Sequence, residues 1–229
     1  MQVIFRRMPP WDEHVAREIE RYEDGESRLP DDSDARQRQL TRMGNAAGGA
    51  GLALLMAGRA HEAADWFHRA AGRYRESIDG APPGSWGRPI GAMKALVLAD
   101  DWRAAEEAAR WALELGAADS ESPIGRYASA LALLVLGRDH DAVIHADAIR
   151  TSDSFPHDVG DALAFIAAQD VIGYTYAVES VLDSFETREE YLEDIPVADT
   201  VLVLQALAAR RGIATELSSP LLPATSEDA

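Results

Sequence analysis

The sequence contains no cysteine, which excludes disulfides, thiolate nucleophiles and cysteine-held zinc or iron–sulfur centres. Lysine is almost as scarce: Lys94 is the only one, and the other 21 basic residues are arginines. Long apolar runs are missing too. Gly51–Ala57 and Ala128–Leu136 are the longest, well short of the ~20 residues that span a bilayer. Met1–Arg7 places its charges after a very short apolar run, the reverse of a secretory signal, so a cytoplasmic location is expected. Strand-like alternation of β-branched and aromatic residues is scarcely found. No phosphate-binding glycine loop or nucleophile-elbow serine occurs either, since Gly48-Gly49-Ala50-Gly51 lies inside a helical pattern.

What the chain has is acid and alanine. It has 229 residues, with 39 acidic against 22 basic, a formal net charge of −17, and 47% hydrophobic content is ample for a core. At molar salt the Debye length falls to ~3 Å and such self-repulsion is screened. This composition resembles that of salt-in halophiles, especially halophilic archaea. The arginines are scattered among acids, which argues against a phosphate-binding face and hence against nucleic acid.

Apolar residues recur at helical spacing throughout, which predicts an all-α fold. Trp11, Val15, Ile19 and Tyr22 share one face of a first helix, which the run Asp24–Asp32 is expected to end, with Ser33 as the next N-cap. Helical hairpins then follow, turning at Gly58, Asp100 and Gly137, with a fourth after Pro156. Residues 1–32 are expected to form a capping helix and linker, 33–211 the helical array closed by a helix over 197–211, and 212–229 a flexible Pro/Ser-rich tail.

Within the hairpins, small and large residues keep fixed offsets from the turn. Ala63, Phe67 and Ala70 stand five, nine and twelve after Gly58; Ala105, Ala109 and Ala112 stand likewise after Asp100; and Ala142, Ala146 and Ile149 after Gly137. With Gly51 seven before Gly58, this pattern resembles the tetratricopeptide repeat, although the turn-to-turn spacings, Gly58 to Asp100 and Asp100 to Gly137, are 42 and 37 residues against the family's ~34. The resemblance implies a right-handed superhelix of about four divergent hairpins with capped ends, binding a peptide or protein segment on an inner face lined by the first helix of each pair. It implies no enzyme activity and no cofactor. In relatives that bind a peptide's terminal carboxylate, the clamp uses Lys, Asn and Arg on inner helices; here Asn45, Arg88, Lys94, Arg126 and Tyr127 are the candidates for such a patch.

A different class of function rests on histidine. His61, Asp65 and His68 fall on one helical face with Glu62 beside them and could hold zinc, and His140, Asp141 and His145 form a looser set. The chain would then be a small helical metal-binding protein or enzyme with a site assembled across helices. Finally, the apolar Val201, Leu202, Leu204 and Leu207 make the C-terminal helix either a docked cap or a self-association surface giving a homo-oligomer.

Overall fold

The computed structural model describes residues 10–224; the first nine residues of the expected N-terminal cap and residues 225–229 of the expected tail lie outside them. Among the described residues there are ten α-helices and no strand. They are α1 (Trp11–Ser27), α2 (Ser33–Met56), α3 (Ala60–Glu76), α4 (Gly87–Leu98), α5 (Trp102–Glu114), α6 (Pro123–Val135), α7 (Asp139–Arg150), α8 (His157–Ala168), α9 (Val171–Glu186) and α10 (Asp199–Ala209). No helix is long and apolar enough to cross a membrane.

The turns explain the repeat. Gly58, Asp100, Gly137 and Gln169 all take left-handed backbone at the end of an even-numbered helix. In each case the next residue's N–H bonds the carbonyl five residues back: Arg59 to Leu54 at 2.9 Å, Asp101 to Leu96 at 3.1 Å, Arg138 to Leu133 at 2.8 Å and Asp170 to Phe165 at 3.0 Å. This is the Schellman closure, which satisfies carbonyls that a helix end leaves orphaned. Where Asp follows the turn residue it also starts the next helix: Asp101 accepts from the Ala104 N–H and Asp170 from the Gly173 N–H, both at 3.0 Å. Asp100 has taken the place of the turn glycine, at φ 56°.

The offsets of five, nine and twelve are buried in every hairpin, to 1% exposure or less. They carry Ala63, Phe67 and Ala70; Ala105, Ala109 and Ala112; Ala142, Ala146 and Ile149; and, after Gln169, Tyr174, Val178 and Val181. The last hairpin obeys the rule with large residues at all three places, which hides it from a search for small ones.

Each helix packs on its neighbours in sequence, and α2, α4, α6 and α8 also touch one another in turn, making one continuous row backed by the odd-numbered helices. α10 does not extend this array. It returns onto the row, packing against α4, α8 and α9, with Val201, Leu204 and Leu207 fully buried. Of the four apolar residues named for a self-association surface, Val201, Leu204 and Leu207 are therefore covered within the chain and Leu202 is partly exposed.

α1 ends at Ser27, inside the run Asp24–Asp32, and Gly25 in that run is where α2 comes closest: a Cβ there would lie 2.7 Å from Gln39 and 2.8 Å from Met43. Two local expectations differ from the structure. Asp32, one residue ahead of Ser33, caps α2 by accepting from the Ala35 N–H at 2.8 Å. Residues 213–222 also dock: Ile213 and Leu221 are buried, the Leu221 carbonyl accepts from the Ala198 N–H at 3.0 Å, and Ser219 donates to Glu186 at 2.7 Å. Sparse but regularly placed apolar residues were enough to hold a segment rich in proline and serine.

Candidate functional site

Five of the six glycines of α2 and α4 fall into two groups, and the sixth, Gly49, approaches Glu18, 3.2 Å from a Cβ placed there. A Cβ on Gly44 or Gly91 would lie 2.8 or 2.7 Å from the ring of Tyr74, and one on Gly51 would lie 2.6 Å from Phe67. These glycines let two aromatic side chains of α3 enter between α2 and α4. Gly48 and Gly87 meet nothing within 4 Å. They border a cavity of about 310 Å³ between α2 and α4, floored by Phe67 and Tyr74 and walled by Leu52, Ile90 and Leu98. That volume is at the small end for ligand pockets, enough for one or two large side chains.

Polar groups gather along one side of it. Asn45 accepts from the Tyr74 hydroxyl at 2.8 Å and donates to Glu193 at 3.1 Å. Lys94 Nζ lies 2.5 Å from the Asp199 carboxylate and donates to Thr200 Oγ1 at 3.1 Å. Burial works against the charge on Lys94, but the facing Asp199 outweighs it and holds the pKa above the ordinary lysine value. Burial, with help from Glu193 and Asp199, pushes the Tyr74 hydroxyl well up, so it stays a donor. Tyr127, packed on Phe155 with ring centroids 5.2 Å apart, is also raised by burial; Lys94 opposes the rise and Asp199 adds to it.

Glu193 comes from the segment joining α9 to α10, 148 residues from Asn45. Its carboxylate also pairs with Arg21, and its carbonyl accepts from Arg17 at 2.7 Å. Both arginines bond the fully buried Glu18, at 2.7 Å from Arg17 and 2.8 Å from Arg21. Glu193 and Asp194 hold φ of 56° and 54°, a left-handed geometry that costs an ordinary residue about 1–2 kcal/mol. Their surroundings have to supply that energy.

Of the five residues expected to form a patch, Asn45 and Lys94 line the cavity and Tyr127 stands behind Lys94. Arg88 turns away, donating to the Ser77 carbonyl and hydroxyl at 3.1 Å and to Gln37, and burial lowers its pKa. Arg126 lies beside His145, whose pKa is depressed by burial and then by that arginine. The groups missed by sequence reasoning are Glu193 and Asp199, which answer the patch from the same chain, and Arg17, Arg21 and Tyr74. A lone lysine was a usable signal for one end of the Lys94–Asp199 pair. Nothing in local periodicity points to a partner 105 residues away.

The histidine sets do not converge. His61, Asp65 and His68 are all exposed, and His68 faces Asp101 at 3.5 Å. Asp141 pairs with Arg138 at 2.7 Å, and His140 is exposed. Among the described residues no group of three or more His, Asp or Glu side chains is placed to hold a metal ion. A second hollow, about 380 Å³, lies between α1 and α2 and is lined by Arg21, Arg28, Arg42 and Asp24. There Arg28 is matched by Asp24 and Arg21 by Glu18 and Glu193, and few apolar groups give it shape.

No family model matches the chain, and no curated protein or solved structure matches it either.

Proposed function

We propose that this chain is a non-enzymatic, tetratricopeptide-like interaction module whose cleft between α2 and α4 holds a segment of a partner protein, in a cytoplasm of high salt. The repeated left-handed closures and the buried offsets after each turn support the repeat reading, with the row of even-numbered helices as the inner face of a right-handed superhelix. One observation carries the binding reading: the cavity of about 310 Å³ is lined by apolar side chains and kept open by Gly48 and Gly87, where a packed core would have filled it. Asn45, Tyr74 and Lys94 supply directional hydrogen bonding at its edge.

Selection of random peptides displayed on phage against the immobilised protein in molar KCl tests this reading, with Gly48→Leu as the counter-target. A Cβ on Gly48 meets nothing within 4 Å and Gly48 lines the cavity, so leucine there is expected to take up cleft space. A consensus with an apolar anchor, enriched on the wild type and lost on Gly48→Leu, is the expected result. Enrichment indifferent to Gly48→Leu contradicts the cleft as the site. The salt reading is tested separately by circular dichroism: helicity should be highest in molar KCl and fall in dilute buffer, and a chain equally stable in both would refute it.

A further inference from the structure

The segment Glu189–Asp194 lies beside the cleft as a strap held at two residues: Tyr191, whose hydroxyl donates to the Phe185 carbonyl at the end of α9 at 2.7 Å, and Glu193, the one that reaches the cleft. Arg188, Glu189 and Glu190 are exposed, whereas Glu193 reaches in to meet Arg17, Arg21 and Asn45. Each group that Glu193 engages has a second partner. Arg17 and Arg21 both hold Glu18, and Asn45 holds the Tyr74 hydroxyl. Withdrawal of Glu193 therefore leaves both arginines paired with Glu18 and frees only the Asn45 amide N–H, which borders the open cavity, and it releases two consecutive residues from left-handed backbone. Beyond the strap, Ile195 and Val197 are buried and α10 is locked to the row, so the chain has a fixed point about which the strap can lift. Cleft and pin are continuous, because Glu193 itself forms part of the cavity wall beside Asn45.

We propose that the strap is a built-in ligand: Glu193 occupies a subsite in which Arg21 and Asn45 take the carboxylate and Arg17 takes the main-chain carbonyl, and the partner is an acidic peptide that takes this subsite when the strap lifts. The charge complementarity is explicit. In a chain of net charge −17, the pin is met by two guanidinium groups and a side-chain amide. An acidic residue flanking an apolar anchor would satisfy both the subsite and the cavity next to it. This inference rests on the cleft being the binding site, and it adds the chemistry of the partner and a competitor supplied by the chain itself.

The probe is a synthetic peptide of the chain's own residues 189–195, labelled and titrated in molar KCl against the wild type and Glu193→Ala by fluorescence anisotropy. The variant should bind it at least tenfold more tightly than the wild type, and a peptide with Gln in place of its Glu193 should lose at least tenfold on the variant. Equal binding to both proteins, or none to a Glu193→Ala variant whose circular dichroism matches the wild type, overturns the proposal. Should the variant fail to fold, amide hydrogen exchange of the wild type decides: the strap should exchange at least tenfold faster than α10, and a strap that opens only with α10 overturns the idea. If phage selection on the wild type gives a Gly48-dependent consensus without acids, the cleft stands and the strap proposal alone fails.

Discussion

The two halves of the even-numbered row have opposite fates although the odd-numbered helices behind them follow one rule. Between α2 and α4, Gly48 and Gly87 leave an open cleft. In α6 and α8 the place of Gly48, ten residues before the turn, carries Tyr127 and Val159, both buried, as are Leu131, Leu134, Leu163 and Ile166, while α10 packs on α4 and α8. Arg211 fastens this end, donating to the Leu134 carbonyl at 2.8 Å and pairing with Asp139. The odd-numbered helices follow one rule in both halves, and the even-numbered ones differ where α2 carries Gly48 and α6 and α8 carry Tyr127 and Val159.

The largest test of this difference is in the filled half. Leu207→Ala, at a fully buried position of α10, should cost about 2–5 kcal/mol in urea unfolding, whereas Leu52→Ala on the half-exposed cleft wall should cost less than about 1 kcal/mol. Equal losses would mean that the cleft is as tightly packed as the core. Next, Lys94→Ala leaves Asp199 without its cation and should cost about 2 kcal/mol, and a Lys94→Met, Asp199→Leu pair should recover most of it. A smaller and opposite effect is expected within α2 itself. Gly48→Ala should stabilise by about 0.5–1 kcal/mol through helix propensity, while Gly44→Ala should destabilise because its methyl meets Tyr74.

The smallest effect concerns pH. Burial, and then Arg17, lowers the pKa of His14 below the ordinary histidine value, with Glu13 and Asp194 opposing. As pH falls through about 6.5 the unfolded chain takes up this proton before the folded one, so stability should decline from there towards the depressed native value. Comparing Tm at pH 7.5 and 5.5 for the wild type and His14→Leu isolates the contribution, and the variant should lose less. An identical decline in both would assign the pH dependence to other groups.

Much of the helical array was legible because its causes are local. Turn residues at 58, 100 and 137 and buried residues at fixed offsets depend on spacing alone, and for the fourth hairpin, expected after Pro156, the structure adds that its turn is Gln169 and that its buried offsets carry Tyr174, Val178 and Val181. The ending of α1 within Asp24–Asp32 was legible too, but not that Gly25 there is a point of close packing against α2. The site was legible by half. Asn45 and Lys94 could be singled out, but Glu193 and Asp199 reach them through the return of α10, and no local pattern distinguishes a helix that caps the end from one that folds back. Arg88 and Arg126 were misplaced for a related reason: being near the start of a row helix does not determine which way a long side chain turns.

The most direct test of the cleft is a ¹⁵N chemical-shift titration of the wild type in molar KCl with the peptide selected on it. The account predicts perturbed amides around Gly48, Leu52, Gly91 and Leu98, abolished in Gly48→Leu. Perturbation centred instead on the exposed Ile172 and Tyr176 of α9 would contradict it and move the binding surface to the far end of the array.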